Sequence, residues 1–267
     1  MKSKLDRDED IEVLNWLTPV NYAPQQRDYI GRRQAGSGQW LLDSKEFQIW
    51  LKTDKQTLFC PGIPGAGKTI LASIVVDYLC SQTRKNLNVG IACLYCNFRR
   101  REEQKAEDLF ASLLKQLTRE LPSVPNSVKA LHKTHIKDQT RPSFNEISGA
   151  LQSVTAMYSR VFIIVDALDE CQTSDDCRTR FLSELFNLQK WQRINILATS
   201  RVIPEIVDQF KGSMSLEIRA SREDVERYLE HYIRHKQLPS FVRQNPSLQE
   251  EIKTGILKAV DGMYVLG

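Results

Sequence analysis

Residues 56–80, QTLFCPGIPGAGKTILASIVVDYLC, change hydrophobic period within one short stretch. QTLFC at 56–60 is strand-like, and over 68–80 the residues Ile70, Leu71, Ile74, Val75 and Tyr78 fall on one helical stripe. Between them, GIPGAGKT at 62–69 supplies glycines that let the backbone turn tightly. A strand that runs through such a turn into a helix opens a βαβ unit. That unit commits the chain to a parallel sheet, and a parallel sheet must be covered by helices.

The remainder repeats the alternation. NVGIACLYC at 88–96 reads as a second strand, and 103–119 as a helix through Ala106, Leu109, Phe110, Leu113, Leu114 and Leu117. A proline-punctuated region at 122–142 precedes a helix at about 144–158. VFIIV at 161–165 is an unbroken apolar run, as expected of a strand covered on both faces. A helix at 178–190, the strand INILA at 194–198, a short helix after Pro204 and the strand MSLEI at 214–218 complete the series. The expectation is an α/β fold of three layers built on a parallel sheet, occupying residues 40–220.

Ahead of it, 1–39 reads as a charged, flexible lead and linker. A short apolar patch lies at 11–17, prolines, glycines and arginines fill 21–39, and a short helix follows over 44–52 through Phe47, Trp50 and Leu51. Behind it, Ser221 can cap a helix whose stripe is Val225, Tyr228, Leu229, Tyr232 and Ile233, and Leu248, Ile252, Ile256 and Val260 mark a second helix. Residues 221–267 are therefore expected to open a small helical module that the chain cuts short.

Composition excludes several classes. Hydrophobic content of 41% and charged content of 26% are ordinary for a soluble chain, and the net charge of +4 (37 basic against 33 acidic residues) is no nucleic-acid footprint. No apolar run approaches membrane-spanning length and the N-terminus has no signal-peptide core, which points to the cytoplasm. Six scattered cysteines fit reduced thiols. Cys93-x-x-Cys96 falls inside an apolar strand without a second ligand pair, and the histidine pairs His132/His135 and His231/His235 lack a third ligand.

The turn also carries chemistry. It matches G-x-x-x-x-G-K-[ST], in which successive backbone N–H groups and a helix N-terminus cradle phosphates. The expected nucleotide contacts are Gly62, Ile63, Pro64, Gly65, Ala66, Gly67, Lys68 and Thr69, with Lys68 on the β- and γ-phosphates and the Thr69 hydroxyl on Mg²⁺. VFIIV ends in Asp166, at the strand edge where open α/β sheets bind ligands, so Asp166 is the second candidate for the metal. In the block DALDE, Asp169 and Glu170 lie close enough to orient or activate an attacking water. INILA leads to Thr199, Ser200 and Arg201. If that strand lies between the other two, these residues face the γ-phosphate, and Arg201 can report its presence through charge. Arg32 and Arg33 stand just ahead of the domain as further candidates near base or phosphates.

GIPGAGKT, DALDE behind VFIIV, and ATSR followed by Pro204-Glu205 together resemble the NACHT domain of STAND-class NTPases, in the version of fungal proteins with a nephrocystin-3-like N-terminal region. RRQAGSGQWLLDSKEFQIWL and the final DGMYVL resemble segments of the same family, from about residue 14 onward. The resemblance implies a sheet of order 5-1-4-3-2 and binding of ATP or GTP with Mg²⁺. It also implies slow hydrolysis to the diphosphate, with Glu170 as base, and a switch that self-associates when triggered. Two departures are visible. Gly262-Met263-Tyr264 lacks the proline of the family's Gly-x-Pro, and the chain ends before any winged-helix or repeat module. Two other readings stand beside the switch: a nucleotide- or protein-binding module without turnover, and a P-loop kinase for a small molecule. The second must accommodate a spacing of 98 residues from Lys68 to Asp166 and shows no acceptor pocket. No Asn-Lys-x-Asp guanine signature is present, so the base stays open.

Overall fold

Two strands, β3 (Arg160–Asp166) and β4 (Ile194–Ser200), are buried along nearly their whole length, and the rest of the molecule is arranged around them. In this computed structural model the described residues are 4–83, 88–171, 176–220, 223–227, 229 and 240–259. β2 (Val89–Tyr95) pairs with β3, β3 with β4, β4 with β1 (Thr57–Pro61), and β1 with β5 (Met214–Ser215), every pair parallel. Read from the β5 edge, the strand order is 5-1-4-3-2, as the resemblance implied.

That order fixes where the helices go. The chain leaves β1 across β4 and β3 to reach β2, then returns through β3 to β4, so right-handed crossovers place α5 (Lys68–Thr83) on one face. The opposite face takes α6 (Ala106–Arg119), α8 (Phe144–Thr155) and α9 (Cys177–Trp191). α5 lies over β2, β3 and β4 and buries Leu71, Ala72, Ile74, Val75, Val76 and Leu79. α6 turns its stripe of Leu109, Phe110, Leu113, Leu114 and Leu117 inward, and Phe110 meets Phe144 and Phe181 edge to face. At the β2 edge the Gln116 amide pairs with the Cys93 backbone, accepting from its N–H at 3.0 Å and donating to its carbonyl at 2.8 Å. A bare edge is thereby capped.

Several boundaries differ from the sequence reading. The lead and linker of 1–39 is helical over α1 (Lys4–Leu17) and α2 (Ala23–Gly31). Pro24 sits at the start of α2, where its fixed φ suits a helix, and Val13, Val20 and Tyr22 are buried against the domain. Those few apolar anchors are diluted by charged and turn-forming neighbours, so the local signal was that of a linker. The proline-punctuated stretch contains α7 (Asn126–Asp138) between its prolines. β5 is only two residues long, although Leu216 and Ile218 still donate to the carbonyls of Phe59 and Pro61. Two short helices, α3 (Gln39–Asp43) and α4 (Lys45–Lys52), follow α2, and Ser44 caps α4 by accepting from the Phe47 N–H.

Beyond β5, residues 223–227 are helical with Val225 buried, and Ser240–Arg243 and Pro246–Ala259 form two more helices. Ser221, Tyr228, His231, Tyr232, Ile233, His235, Val260 and Gly262–Tyr264 lie outside the described residues.

The α4 end is tied to β4 through Trp50, which is fully buried, packs at a tilt against Phe47 and Phe162, and donates its indole N–H to the Ile196 carbonyl at 2.8 Å. Trp50→Ala is expected to lower unfolding stability by about 3–5 kcal/mol through cavity formation, and Trp50→Phe by about 1–2 kcal/mol, read by chemical denaturation. Equal, sub-kilocalorie losses in both would show that the indole is not a structural anchor.

Candidate nucleotide site

β1 ends at Pro61, and the next residue, Gly62, is pinned from two sides: its N–H donates to the Ser200 carbonyl at 3.0 Å, and a Cβ there would stand 2.5 Å from the Ile218 carbonyl oxygen. No larger residue fits without displacing the backbone at Ile218, beyond β5. The loop then turns through Gly65 and Gly67, the latter at φ +84°, a left-handed conformation that an L side chain would strain. From that turn α5 starts at Lys68. Its first backbone N–H groups have no intrahelical acceptor and carry the positive end of the helix dipole toward the loop.

Lys68 is folded onto its own loop, donating to the carbonyls of Gly62 at 2.9 Å and Ile63 at 2.8 Å. Burial lowers its pKa, and the carboxylates of Asp169 and Asp166 oppose that shift. Thr69, one residue on, donates its hydroxyl to Asp166 Oδ2 at 2.7 Å. The Thr199 hydroxyl, from the end of β4, donates to Asp166 Oδ1 at 2.6 Å. β4 does lie between β1 and β3, so the condition set for Thr199, Ser200 and Arg201 is met. Thr199, however, is engaged with the carboxylate, and its oxygen also accepts from the Ala167 N–H at 3.0 Å. Ser200 is fully buried, with no hydrogen-bond partner for its hydroxyl among the described residues.

Asp166 is 2% exposed. Burial pushes its carboxyl up to about 6, against the two hydroxyls and the Lys68 charge, which pull it down. A carboxylate held in that condition lacks a full counter-charge. The donor set around it, a carboxylate and a threonine hydroxyl beside a helix N-terminus, is hard oxygen, the kind Mg²⁺ prefers.

Ala167 has φ +53°, one of four non-glycine residues among those described with positive φ. The left-handed turn there swings the chain into a short 3₁₀ turn at Leu168–Glu170 and sends the two remaining carboxylates in different directions. Asp169 accepts from the Arg201 backbone N–H at 2.9 Å and from its Nε at 2.5 Å. Burial alone would raise Asp169, but the Arg201 contacts outweigh it and hold the group below the ordinary carboxylate range. Glu170 accepts from the Phe98 N–H at 3.2 Å, at the head of the FRRREE turn that carries Arg99, Arg100 and Arg101. Both candidate water-activating carboxylates thus hold a partner, and Arg201, the candidate sensor, is half of one of those pairs.

Arg32 is exposed and paired with Asp28 at 2.7 Å, while Arg33 donates to the Ser37 carbonyl at 3.1 Å. The loop that follows them is clamped to the C-terminal helical residues. The Gly38 N–H donates to Asp224 Oδ2 at 3.2 Å, and Arg227 donates to the Gly36 carbonyl at 2.8 Å. Cys93 and Cys96 do not act as a pair, since Cys96 Sγ lies 2.8 Å from Cys171 Sγ in the core. The sequence reading missed the hydroxyl clamp on Asp166 from Thr199, the Glu170–Phe98 contact and the proximity of α2. Only a strand order known in advance would have revealed the first.

Residues 36–201, well over half of the chain, match the family described as Nephrocystin 3, N-terminal. No match is found among curated proteins. Among solved structures, a Walker-type ATPase of Pyrococcus abyssi is similar with a TM-score of 0.51 and 14% identity, over 88% of this chain and 68% of that one. The ORC2 protein of Aeropyrum pernix, solved as ADPNP–ADP complexes, is similar with a TM-score of 0.50 and 16% identity, over 76% of this chain and 52% of that one. The chain spans about half of the Aeropyrum protein and about two thirds of the Pyrococcus one. At these identities the likeness is one of fold, that of P-loop ATPases. With both the sequence match and the fold in place, the chain belongs to the nephrocystin 3 N-terminal family.

Proposed function

We propose that this chain binds a nucleoside triphosphate, ATP or GTP, together with Mg²⁺, and works as the nucleotide-dependent switch module of a NACHT-type STAND protein. The observation that carries the reading is the Thr69–Asp166 contact at 2.7 Å, set beside Lys68 at the head of α5. An ammonium, a helix N-terminus and a buried carboxylate–hydroxyl pair converge where a polyphosphate and its cation would sit. The residues that would hold the metal are Thr69 and Asp166, and the cation when bound would neutralise phosphate charge. Lys68 is already aimed along the loop, and exchanging two loop carbonyls for phosphate oxygens replaces neutral acceptors with charged ones.

Hydrolysis in this reading is slow, and a physical reason lies in the site. Asp169 has both carboxylate oxygens on Arg201 and cannot take a proton from water until that contact is released, while Glu170, held on one oxygen by the Phe98 N–H, must keep or leave that contact to reach an attacking water. The γ-phosphate favours that release by offering Arg201 a competing anion, and the energy for switching is the difference in contacts between the two arrangements. The clamp of Asp224 and Arg227 on the Gly36–Gly38 loop gives residues 221–267, the proposed helical module, a hold on the nucleotide domain. Self-association and a cytoplasmic site of action belong to the same proposal. The engagement of both Asp169 oxygens by Arg201 also favours a second reading, in which nucleotide is held without turnover.

Three outcomes test this. Lys68→Ala is expected to weaken Mg-nucleotide binding about 10- to 100-fold by calorimetry, with the fold unchanged by circular dichroism. Undiminished binding would rule out the loop as the phosphate site. Glu170→Gln is expected to keep affinity within about twofold and to abolish phosphate release. Release that persists would assign the base elsewhere, and wild-type protein that binds but releases nothing would favour the second reading.

The third outcome follows from the raised Asp166 pKa. In the unfolded chain this group ionises near its ordinary value of about 4, and in the fold at about 6. Between those values the folded state binds more protons, so the group costs stability as pH rises through that window. Without metal, Asp166→Asn is expected to raise stability above pH 6 by up to about 3 kcal/mol and to change nothing below pH 4, read by thermal melts across pH. A gain independent of pH would show that the charge is not the cause.

A further inference from the structure

The α2 helix was expected to be linker, and its placement beside the phosphate loop calls for an explanation. Tyr95 and Asp166 are register partners at the ends of β2 and β3, so their side chains stand on the same face of the sheet. Gln26 of α2 accepts from the Tyr95 hydroxyl and donates its amide to the Ser73 carbonyl of α5 at 2.9 Å. The helix is thereby fixed both to the strand end beside Asp166 and to the helix whose N-terminus forms the cradle. Tyr29, three residues on and on the same side of α2, sets its ring edge against Tyr95 with centroids 5.0 Å apart. This half-buried phenol packs against the core, and its hydroxyl has no hydrogen-bond partner among the described residues. Its pKa is raised, first by burial and then by the carboxylates of Asp166 and Asp28.

We propose that α2 is a wall of the nucleotide site and that Tyr29, held against Tyr95, presents its hydroxyl as a hydrogen-bond donor to the terminal phosphate of a bound nucleoside triphosphate. The geometry gives the hydroxyl a purpose that packing does not. A phenylalanine would pack equally well on Tyr95, whereas a donor without a protein acceptor, on a ring set against the register partner of Asp166, is available to an anion bound with the cation. A contact made to the terminal phosphate alone is one that a diphosphate lacks. Tyr29 then reads the γ-phosphate from the N-terminal side as Arg201 does from β4, and it carries the signal into a helix that precedes the domain.

This inference rests on the nucleotide reading, and the test separates the two. Calorimetry on the full chain with Mg²⁺ compares a non-hydrolysable ATP analogue with ADP, for wild type and for Tyr29→Phe, which keeps the ring on Tyr95. The expected result is a fivefold to tenfold loss of affinity for the triphosphate analogue with ADP affinity unchanged within about twofold. Tyr29→Ala, which also loosens α2, is expected to weaken the analogue at least as much. Equal effects of Tyr29→Phe on the two nucleotides, or no effect on either, overturn the role of the hydroxyl while leaving the phosphate loop intact. Wild-type protein that binds neither nucleotide overturns the nucleotide reading, and this inference with it.

Discussion

The architecture converges on one buried carboxylate. Asp166 stands at the end of β3, a strand buried at every position but its first, and takes a hydroxyl from α5 on one side and a hydroxyl from β4 on the other. Three elements far apart in sequence therefore share one charged group, and that group sits where burial works against its charge. Placing Asp166 in an apolar sheet costs stability unless a cation completes it, and such costs concentrate at functional sites. The left-handed Ala167 beside it is a second local cost of the same kind.

Around that carboxylate Lys68, Asp169, Arg201 and Glu170 are each bonded to another part of the site. Lys68 holds the loop carbonyls, Asp169 holds Arg201, and Glu170 holds the turn that begins at Phe98. A polyphosphate entering such a site exchanges partners, and each exchange frees a group on a different element: the loop, β4, or the turn after β2. This is how a ligand of a few ångströms can bias the arrangement of a whole domain. The N-terminal α2 touches the same neighbourhood from outside the sheet through Ser73 and Tyr95, and Asp224 and Arg227 hold the Gly36–Gly38 loop that follows α2.

How far the sequence foretold this depends on the range of the interactions. VFIIV was legible as a doubly covered strand because β-branched residues in an unbroken run leave no solvent face, and GIPGAGKT was legible because Gly65 and Gly67 are demanded by the local left-handed backbone. The loop, Asp166 and the Arg201 position could be named in advance for that reason. What escaped was long-range. α2 carries few apolar residues, and its position depends on Gln26 meeting Tyr95 and Ser73, contacts that no periodicity encodes. The pairing of Asp169 with Arg201 likewise depends on β4 lying next to β3, a fact of topology rather than of either residue's neighbours.

The central claim is that Asp166 and Thr69 complete a cation site beside a phosphate cradle. Electron paramagnetic resonance of Mn²⁺ added in place of Mg²⁺, with a non-hydrolysable triphosphate present, addresses it directly by counting protein-bound metal. The account requires a bound-metal signal that depends on nucleotide and is lost in Asp166→Asn. A signal of undiminished affinity in that variant would contradict it.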